Sequence, residues 1–146
     1  KSEGDDQAGG IRQAARMAGV YAEATTVKVA ILAGEAVGPI YTVFAASADW
    51  RIAVDGCTVA PLAPETAATV LYKDEIFASD NIQLATKQKA AAYKEEQCSA
   101  VAAVANGAAD AAVKAADVRA AAAQALDMLA TKRTTRLPKK HGNITL

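Results

Sequence analysis

The sequence is poor in the residues that most often carry catalysis or bind metals, with two cysteines and one histidine among 146 residues. Cys57 and Cys98 are too few and too far apart for a disulfide framework, and no CxxC or histidine-rich spacing is present, so no metal site is predicted. A Ser-His-Asp or Cys-His arrangement would have to be built on His141. Paired carboxylates and a P-loop are also lacking, so these patterns alone name no reaction.

The chain has no excess of either charge, because 16 Lys and Arg residues balance 16 Asp and Glu residues. Without a basic stripe to capture phosphate, nucleic acid is not an expected partner, and the basic stretch from Lys132 to His141 is typical of a solvated tail. No apolar run is long enough to span a bilayer, and the opening KSEGDDQAGG does not resemble a signal peptide. These absences predict a reduced, cytoplasmic setting, and the lack of an initiator Met indicates that the beginning is missing.

What the sequence does contain is an alternation of helix and strand patterns. The segment from Ile11 to Ala24 has apolar residues at helical spacing with polar residues between them, and it predicts a helix with one buried face. The segment from Val27 to Ala33 is almost continuously apolar, which is typical of a parallel strand covered on both faces. A turn from Gly34 to Pro39 and a second short helix through Ala46 are predicted to follow.

The same alternation continues to the C-terminal side. The further predicted elements are the strands WRIAV and CTVA joined by the turn pair Asp55-Gly56, a helix that starts at Pro64, long helices in NIQLATKQKAAAYKEEQ and VRAAAAQALDMLATK, and a weak strand from Ala109 to Val113. Together they predict an α/β fold, with a mostly parallel sheet and flanking helices, as a single domain over residues 1–146.

Alanine dominates the second half of the chain. It favours helix but buries little area per residue, so the helices are expected to pack closely with modest hydrophobic gain and to need a partner surface. A low-complexity linker is the alternative on composition alone. The larger apolar residues that argue against a linker are Val101, Val104, Val113, Leu126 and Leu129.

Four segments, in this order, carry a family resemblance over nearly all of the chain. They are YAEATTVKVAILAGEAVGPIY, SADWRIAVDGCTVAPLAPETAA, ANGAADAAVKAADVR and KRTTRLPKKHGNITL. Together they resemble the carboxyltransferase subunit of biotin-dependent acyl-CoA carboxylases and decarboxylases, and the last segment is the most specific. The resemblance places the chain in the later part of that family's C-terminal carboxyltransferase domain.

The resemblance implies a partial crotonase-like (ClpP/crotonase) domain and the transfer of a carboxyl group between N1 of biotin and the α-carbon of an acyl-CoA. Biotin would be carried on a separate protein or domain, since the family's Met-Lys-Met type attachment site is absent here. The implied partners are a biotin carboxyl carrier protein, an acyl-CoA substrate, and either further copies of this chain or a complementary carboxyltransferase chain.

The resemblance also implies an oxyanion turn at Gly38, Pro39 and Ile40, where backbone N–H groups at the start of a helix face the biotin side of the reaction. Neighbouring Ala36, Val37 and Tyr41 would then lie on the biotin side. The family commonly has Ala-Tyr-Gly-Gly-Ala-Tyr where this chain has AVGPIY, and proline provides no N–H. An ordinary helix start at Gly-Pro is the alternative.

Other candidates carry two interpretations each. Arg119 either contacts a partner subunit or is a solvated charge, while Asp110 is expected to cap or turn the chain before Ala111. Trp50 and Tyr41 are packing residues or stack on biotin. The tail residues Lys139, Lys140 and His141 reach CoA phosphates or brace the assembly.

Two functions stay open on the sequence. The first is a component of a biotin-dependent carboxyltransferase that works only with complementary chains. The second is a noncatalytic assembly fragment or decayed paralogue that keeps only the fold and the subunit interface.

Overall fold

The computed structural model describes residues 9–39 and 41–134. The first elements are helix α1 (Gly10–Glu23), strands β1 (Val29–Leu32) and β2 (Glu35–Val37), and a five-residue π-helix (Tyr41–Ala45). The elements that follow are β3 (Trp50–Val54), β4 (Thr58–Ala60), α2 (Pro64–Leu71), α3 (Lys73–Phe77), α4 (Ile82–Gln97), α5 (Ala100–Ala105), β5 (Ala111–Val113), a 3₁₀ helix (Ala115–Asp117) and α6 (Val118–Leu129).

The five strands form two parallel sheets that the chain visits in turn. β1, β3 and β5 form one sheet in that order, with Ile31 opposite Ile52, and β2 pairs with β4 in the other. Each pair of consecutive strands therefore contributes its first strand to the larger sheet and its second to the smaller one. The predicted α/β class with parallel strands and flanking helices is confirmed.

Most predicted elements are present, with two differences in how they connect. β2 was not predicted, because a three-residue strand between glycines has no periodicity of its own and depends on β4 for its hydrogen bonds. The turn at Asp55 and Gly56 is present, and Gly56 has a φ of 83°. However, it carries the chain from one sheet into the other, so β3 and β4 do not pair with each other.

Local capping explains where several helices begin. Pro64 occupies the first turn of α2, where its missing N–H costs no hydrogen bond. The Asn81 side chain accepts a bond of 3.0 Å from the Leu84 amide, and Ser99 Oγ accepts one of 3.2 Å from the Ala102 amide. The Ser99 cap separates α5 from α4 within a run that alanine content alone would make one helix.

The core is built largely from alanine. Ile52 and Ala53 of the central strand are fully buried, and α5 packs against β3, β4 and β5. The other members of the buried cluster around Ala53 are Leu32, Ala36, Ala45, Cys57, Val59, Ala100, Ala103 and Ala109. Small side chains let backbones approach closely but bury little area, as the composition predicted.

Two partly buried ion pairs are among those that connect segments distant in sequence. Arg51 of β3 donates from Nε and Nη2 to Asp110, at 2.9 and 3.0 Å, and the Arg51 amide donates to the same carboxylate at 2.8 Å. Lys132 Nζ, beyond α6, contacts both oxygens of Asp49 at 2.7 and 2.8 Å, while the Lys28 amide donates to Asp49 at 2.8 Å. The pairs therefore tie β3 to the start of β5, and the end of α6 to the residue just before β3, where the Lys28 amide also joins the start of β1.

The two carboxylates predict how stability depends on pH. Hydrogen bonds from Arg51 lower the pKa of Asp110; at Asp49, burial opposes the shift, but the bonds from Lys132 and Lys28 leave its pKa lowered as well. A lowered folded-state pKa adds stability that is fully present above the unfolded value of 3.8 and is lost as pH falls through the folded-state values. We expect the thermal midpoint to fall below about pH 4. A midpoint that stays flat between about pH 5 and pH 3 would contradict this assignment.

Candidate functional site

The predicted oxyanion turn lies between β2 and the π-helix. Gly38 has a φ of 62°, a left-handed conformation that glycine adopts without the strain a side chain would bring. Pro39 is exposed, and Ile40 lies outside the described residues. The Ala46 amide bonds to the Tyr41 carbonyl at 3.0 Å, the five-residue spacing of a π-helix, which is rare and is found frequently at functional sites.

The hydrogen bonds of the turn decide which of its backbone groups are free. The Gly38 amide donates to the Ala60 carbonyl at 3.0 Å and so extends the pairing of β2 with β4. The Gly38 carbonyl accepts from the Thr42 amide at 3.0 Å and from Thr42 Oγ1 at 3.2 Å. The Gly38 N–H is therefore engaged and Pro39 has none, so neither described position of the turn offers a free donor.

The three residues predicted beside the turn take different positions. Ala36 is buried in the core, and Val37 is half-buried opposite Ala60 in the smaller sheet. Tyr41 packs against the core cluster, and its hydroxyl donates to the Ala108 carbonyl at 3.3 Å. Tyr41 therefore holds the π-helix against the loop after α5, and the packing interpretation accounts for its contacts.

A small cleft of about 290 Å³ lies next to Tyr41. Its other lining residues are Val59, Ala60, Pro61, Tyr93, Gln97, Cys98, Asn106, Gly107 and Ala108. The Asn106 amide nitrogen lies 3.5 Å from the Gln97 amide oxygen, so two carboxamides sit side by side at the edge of the cleft. Sequence reasoning missed both, because a glutamine and an asparagine at the ends of alanine-rich helices carry no motif.

The chemistry of this cleft is that of binding rather than covalent catalysis. Burial raises the pKa of the Cys98 thiol, which therefore stays protonated at neutral pH and is a poor nucleophile. Burial likewise raises the pKa of the Tyr93 hydroxyl. The cleft thus presents neutral donors and acceptors beside aromatic rings, an arrangement that suits a planar, uncharged polar group.

A larger cleft of about 520 Å³ lies along β1. It is bounded by the C-terminal half of α1, by Phe44, and by the whole length of β1. Ala36 lines this cleft and Tyr41 the smaller one, whereas Gly38 and Pro39 line neither. Neither of these two clefts therefore brings the five described positions of the predicted site together.

The remaining candidates are placed as follows. Asp110 lies in a bend directly before Ala111 and its carboxylate pairs with Arg51, while Arg119 is exposed in the first turn of α6. Trp50 is half-buried at the start of β3. Lys139, Lys140 and His141 lie outside the described residues. Over residues 9–39 and 41–134, no group of acidic, histidine or cysteine side chains could hold a metal ion, and no helix is long and apolar enough to cross a membrane.

Comparison with known proteins finds one matching protein family and several relatives of similar sequence. The model of the carboxyl transferase domain matches residues 2–144. A putative propionyl-CoA carboxylase beta chain of Bacillus subtilis is 37% identical over 139 residues, which cover 93% of this chain and 27% of the relative. The methylmalonyl-CoA carboxyltransferase 12S subunit of Propionibacterium freudenreichii is 35% identical over 136 residues, covering 91% of this chain and 26% of the relative.

Solved structures agree with the sequence relatives. A transcarboxylase 12S structure, described as a hexamer with methylmalonyl-coenzyme A bound, superposes with a TM-score of 0.85 at 33% identity over 100% of this chain and 29% of its own. The beta subunit of Pseudomonas aeruginosa geranyl-CoA carboxylase shares the fold, with a TM-score of 0.71 at 17% identity. The predicted crotonase-like fold is confirmed, and the chain spans about a quarter of the length of the curated relatives that it matches.

Proposed function

Because this chain belongs to the carboxyl transferase domain family, we propose that it forms part of a site that moves a carboxyl group between carboxybiotin and an acyl-CoA. The observation that carries the proposal is the agreement of sequence and backbone with transcarboxylase 12S over the whole chain. The relatives are several times longer, so the reaction requires further polypeptide that binds the acyl-CoA. The biotin would arrive on a carrier protein.

The proposed contribution of this chain is the biotin side of the site. When bound, carboxybiotin supplies the carboxyl group: its bond to N1 breaks, a bond to the acyl α-carbon forms, and the α-proton passes to N1. The small cleft fits the uncharged ureido ring of biotin, because the carboxamides of Gln97 and Asn106 offer both donors and acceptors and Tyr93 offers an aromatic wall. Its volume of about 290 Å³ accommodates the ring rather than a whole coenzyme.

The turn at Gly38, Pro39 and Ile40 is proposed to face the oxygen on which negative charge develops. A backbone N–H aimed at such an oxygen stabilises the transition state. Since the Gly38 amide is bonded to Ala60 and Pro39 has no N–H, we assign that role to the Ile40 amide. Ala36 and Val37 support the turn through the core and the smaller sheet, whereas Tyr41 also lines the small cleft proposed for the biotin ring.

One observation favours a second function, that of a noncatalytic assembly fragment or decayed paralogue. The turn lacks a free donor at both of its described positions, whereas oxyanion sites commonly use two. A chain that kept its fold and interface after losing the reaction would tolerate Pro39.

A transfer assay distinguishes the two functions. The chain would be combined with the part of the P. freudenreichii 12S subunit that it does not align with, and labelled carboxyl transfer from a carboxylated biotin carrier to an acyl-CoA would be followed. We expect no turnover by the chain alone and measurable turnover by the combination. A complex that forms without turnover would support the assembly fragment instead.

We further propose that copies of the chain associate through apolar side chains on three consecutive helices. Val70, Leu71, Phe77, Ile82 and Leu84 of α2, α3 and α4 are all exposed. Exposed apolar groups at this density mark interaction surfaces. Light scattering is expected to show an oligomer at micromolar concentration, and Phe77→Glu is expected to shift it towards the monomer. A wild-type chain that stays monomeric would refute this.

A further inference from the structure

One short loop forms part of the polar rim of the small cleft. Residues 106–110, here called the rim loop, connect the end of α5 to the start of β5. Its first three residues, Asn106, Gly107 and Ala108, line the cleft, and Asn106 supplies one of the two carboxamides at the cleft's edge. The position of that carboxamide therefore depends on the contacts that hold the rim loop in place.

The α5 end of the rim loop is held by the helix itself. Gly107 has a φ of 74°, the left-handed conformation in which glycine commonly ends a helix. Its amide donates to the Val104 carbonyl at 3.1 Å. The Ala108 and Ala109 amides both donate to the Ala103 carbonyl, at 2.7 and 3.0 Å. These bonds fix the amides of the rim loop, whereas the Ala108 carbonyl is bonded from outside the loop.

The Tyr41 side chain provides that outside bond. Its hydroxyl donates to the Ala108 carbonyl at 3.3 Å, and Tyr41 lines the same cleft. The hydroxyl also interacts with the Arg51 guanidinium. The hydrogen bonds to Asp110 contribute most to raising the pKa of Arg51, burial opposes the shift, and Tyr41 adds a smaller contribution in the same direction as Asp110. A phenol oxygen with a carbonyl as its acceptor and a cation beside its lone pairs has a defined orientation.

Asp110 fixes the position of that guanidinium. Asp110 is the last residue of the rim loop, and its amide donates to the Arg51 carbonyl at 2.8 Å. Its carboxylate accepts from Arg51 Nε at 2.9 Å and, through the other oxygen, from Nη2 at 3.0 Å. Two-point bonding of this kind fixes the plane of a guanidinium as well as its distance. The Arg51 side chain is therefore held where it reaches the Tyr41 hydroxyl.

From this arrangement we infer that the Arg51–Asp110 pair positions the rim loop and thereby the ligand-binding groups of the small cleft. Asp110 fixes the guanidinium, and the guanidinium orients the Tyr41 hydroxyl. The hydroxyl in turn holds the loop that carries Asn106. Neither member of the pair lines the cleft, so the pair acts through these groups and not by touching the ligand. The inference rests on the proposed function for the identity of that ligand, the ureido ring of biotin.

The affinity for free biotin tests this role with two matched variants. Asp110→Asn removes the charge that holds Arg51 and nearly keeps the size of the side chain. Asp49→Asn is the control, because Asp49 forms a similarly exposed ion pair with Lys132 and neither of these two residues lines the small cleft. Calorimetry is expected to show binding about fivefold weaker in Asp110→Asn, since a misaligned hydrogen bond is weakened. Asp49→Asn should change the affinity by less than about twofold.

A double variant separates positioning from a general loss of stability. Tyr41→Phe removes the hydroxyl through which the pair is inferred to act. Adding Asp110→Asn to Tyr41→Phe should therefore weaken biotin binding by less than a further factor of about two. If Asp110→Asn acted only on the stability of the fold, its effect would be the same with and without the hydroxyl. Strictly additive effects of the two substitutions would overturn the inference.

Nuclear magnetic resonance of the free chain provides a measurement that needs no ligand. The side-chain amide signals of Asn106 should shift in Asp110→Asn and in Tyr41→Phe. Exchange of the Ala108 amide should be faster in the same two variants, because the rim loop is held less firmly. Neither change is expected in Asp49→Asn. Unmoved Asn106 signals in Asp110→Asn, or equal shifts in Asp49→Asn, would refute the positioning role.

The two measurements distinguish a failure of the inference from a failure of the proposed function. If the Asn106 signals shift as expected but the wild-type chain does not bind biotin, the positioning role stands and the biotin site is wrong. If the wild-type chain binds biotin and Asp110→Asn binds it equally well, the biotin site stands and the positioning role is wrong.

Discussion

Replacing Pro39 with glycine is expected to raise the carboxyl-transfer rate of the complemented chain about a hundredfold. A single oxyanion donor changes the transition-state energy by roughly 3 kcal/mol in enzymes where it has been removed. At this turn the Gly38 amide already bonds to Ala60, so position 39 is where a second N–H can be added without breaking the pairing of β2 with β4. Biotin affinity, followed by calorimetry, should rise with the rate.

The same substitution should lower thermal stability slightly. Pro39 is exposed, so its loss removes little packing, but glycine gives the unfolded chain more freedom and costs about 1 kcal/mol. Pro39→Ala is the matched variant, because it restores the N–H without the flexibility of glycine. Similar rate gains in both variants would support the oxyanion role. A lower midpoint in Pro39→Gly with no gain of rate or affinity in either variant would identify Gly-Pro as an ordinary helix start.

Removing the Asp110 carboxylate should destabilise the fold by about 2 kcal/mol, since hydrogen bonds to charged groups are worth about 1.5–3 kcal/mol. Asp110 accepts three bonds from Arg51, and the two side chains are only 26% and 22% exposed. Asp110→Ala leaves the guanidinium and a strand amide of Arg51 without their acceptor. Partial access of water keeps the cost below that of a fully buried pair.

A control and a double variant make this measurement specific. Asp127→Ala removes an exposed carboxylate on α6 and should change the unfolding free energy by less than about 0.5 kcal/mol. Combining Arg51→Met with Asp110→Ala should recover part of the loss, because no unpaired charge then remains at the sheet. Equal effects of Asp110→Ala and Asp127→Ala in chemical denaturation would rule out a structural role for the pair.

Helices and strands were predictable from the sequence where their apolar residues recur at regular spacing or where a residue such as proline marks their first turn. α1 follows the helical spacing of its apolar residues, and Pro64 marks the start of α2. β2 was not predictable, because its three residues become a strand only by pairing with β4. The turn at Asp55 and Gly56 was visible, but which sheet the next strand enters depends on packing and not on the turn.

In the candidate site, too, some features were predictable from the sequence and others were not. The position of the Gly-Pro turn came from the family resemblance, and its role stays a prediction. Engagement of the Gly38 amide by Ala60 could not be read from the sequence, since it is set by the register of β2 against β4. The pairing of Arg51 with Asp110 joins residues 59 positions apart, and the small cleft is assembled from four separate segments, so neither leaves a local signal.

The alanine-built core changes what mutational scanning can detect in this protein. Ala45, Ala53, Ala68 and Ala103 are almost completely enclosed, yet they are already the residue to which a conventional truncation scan would convert them. Such a scan would pass over several of the most tightly enclosed positions. Damage here comes from added volume, because inserting even one or two methyl groups into a close-packed interior costs roughly 1–3 kcal/mol through forced rotamers and backbone shifts. Sequence drift in this interior is therefore limited by an upper bound on side-chain size.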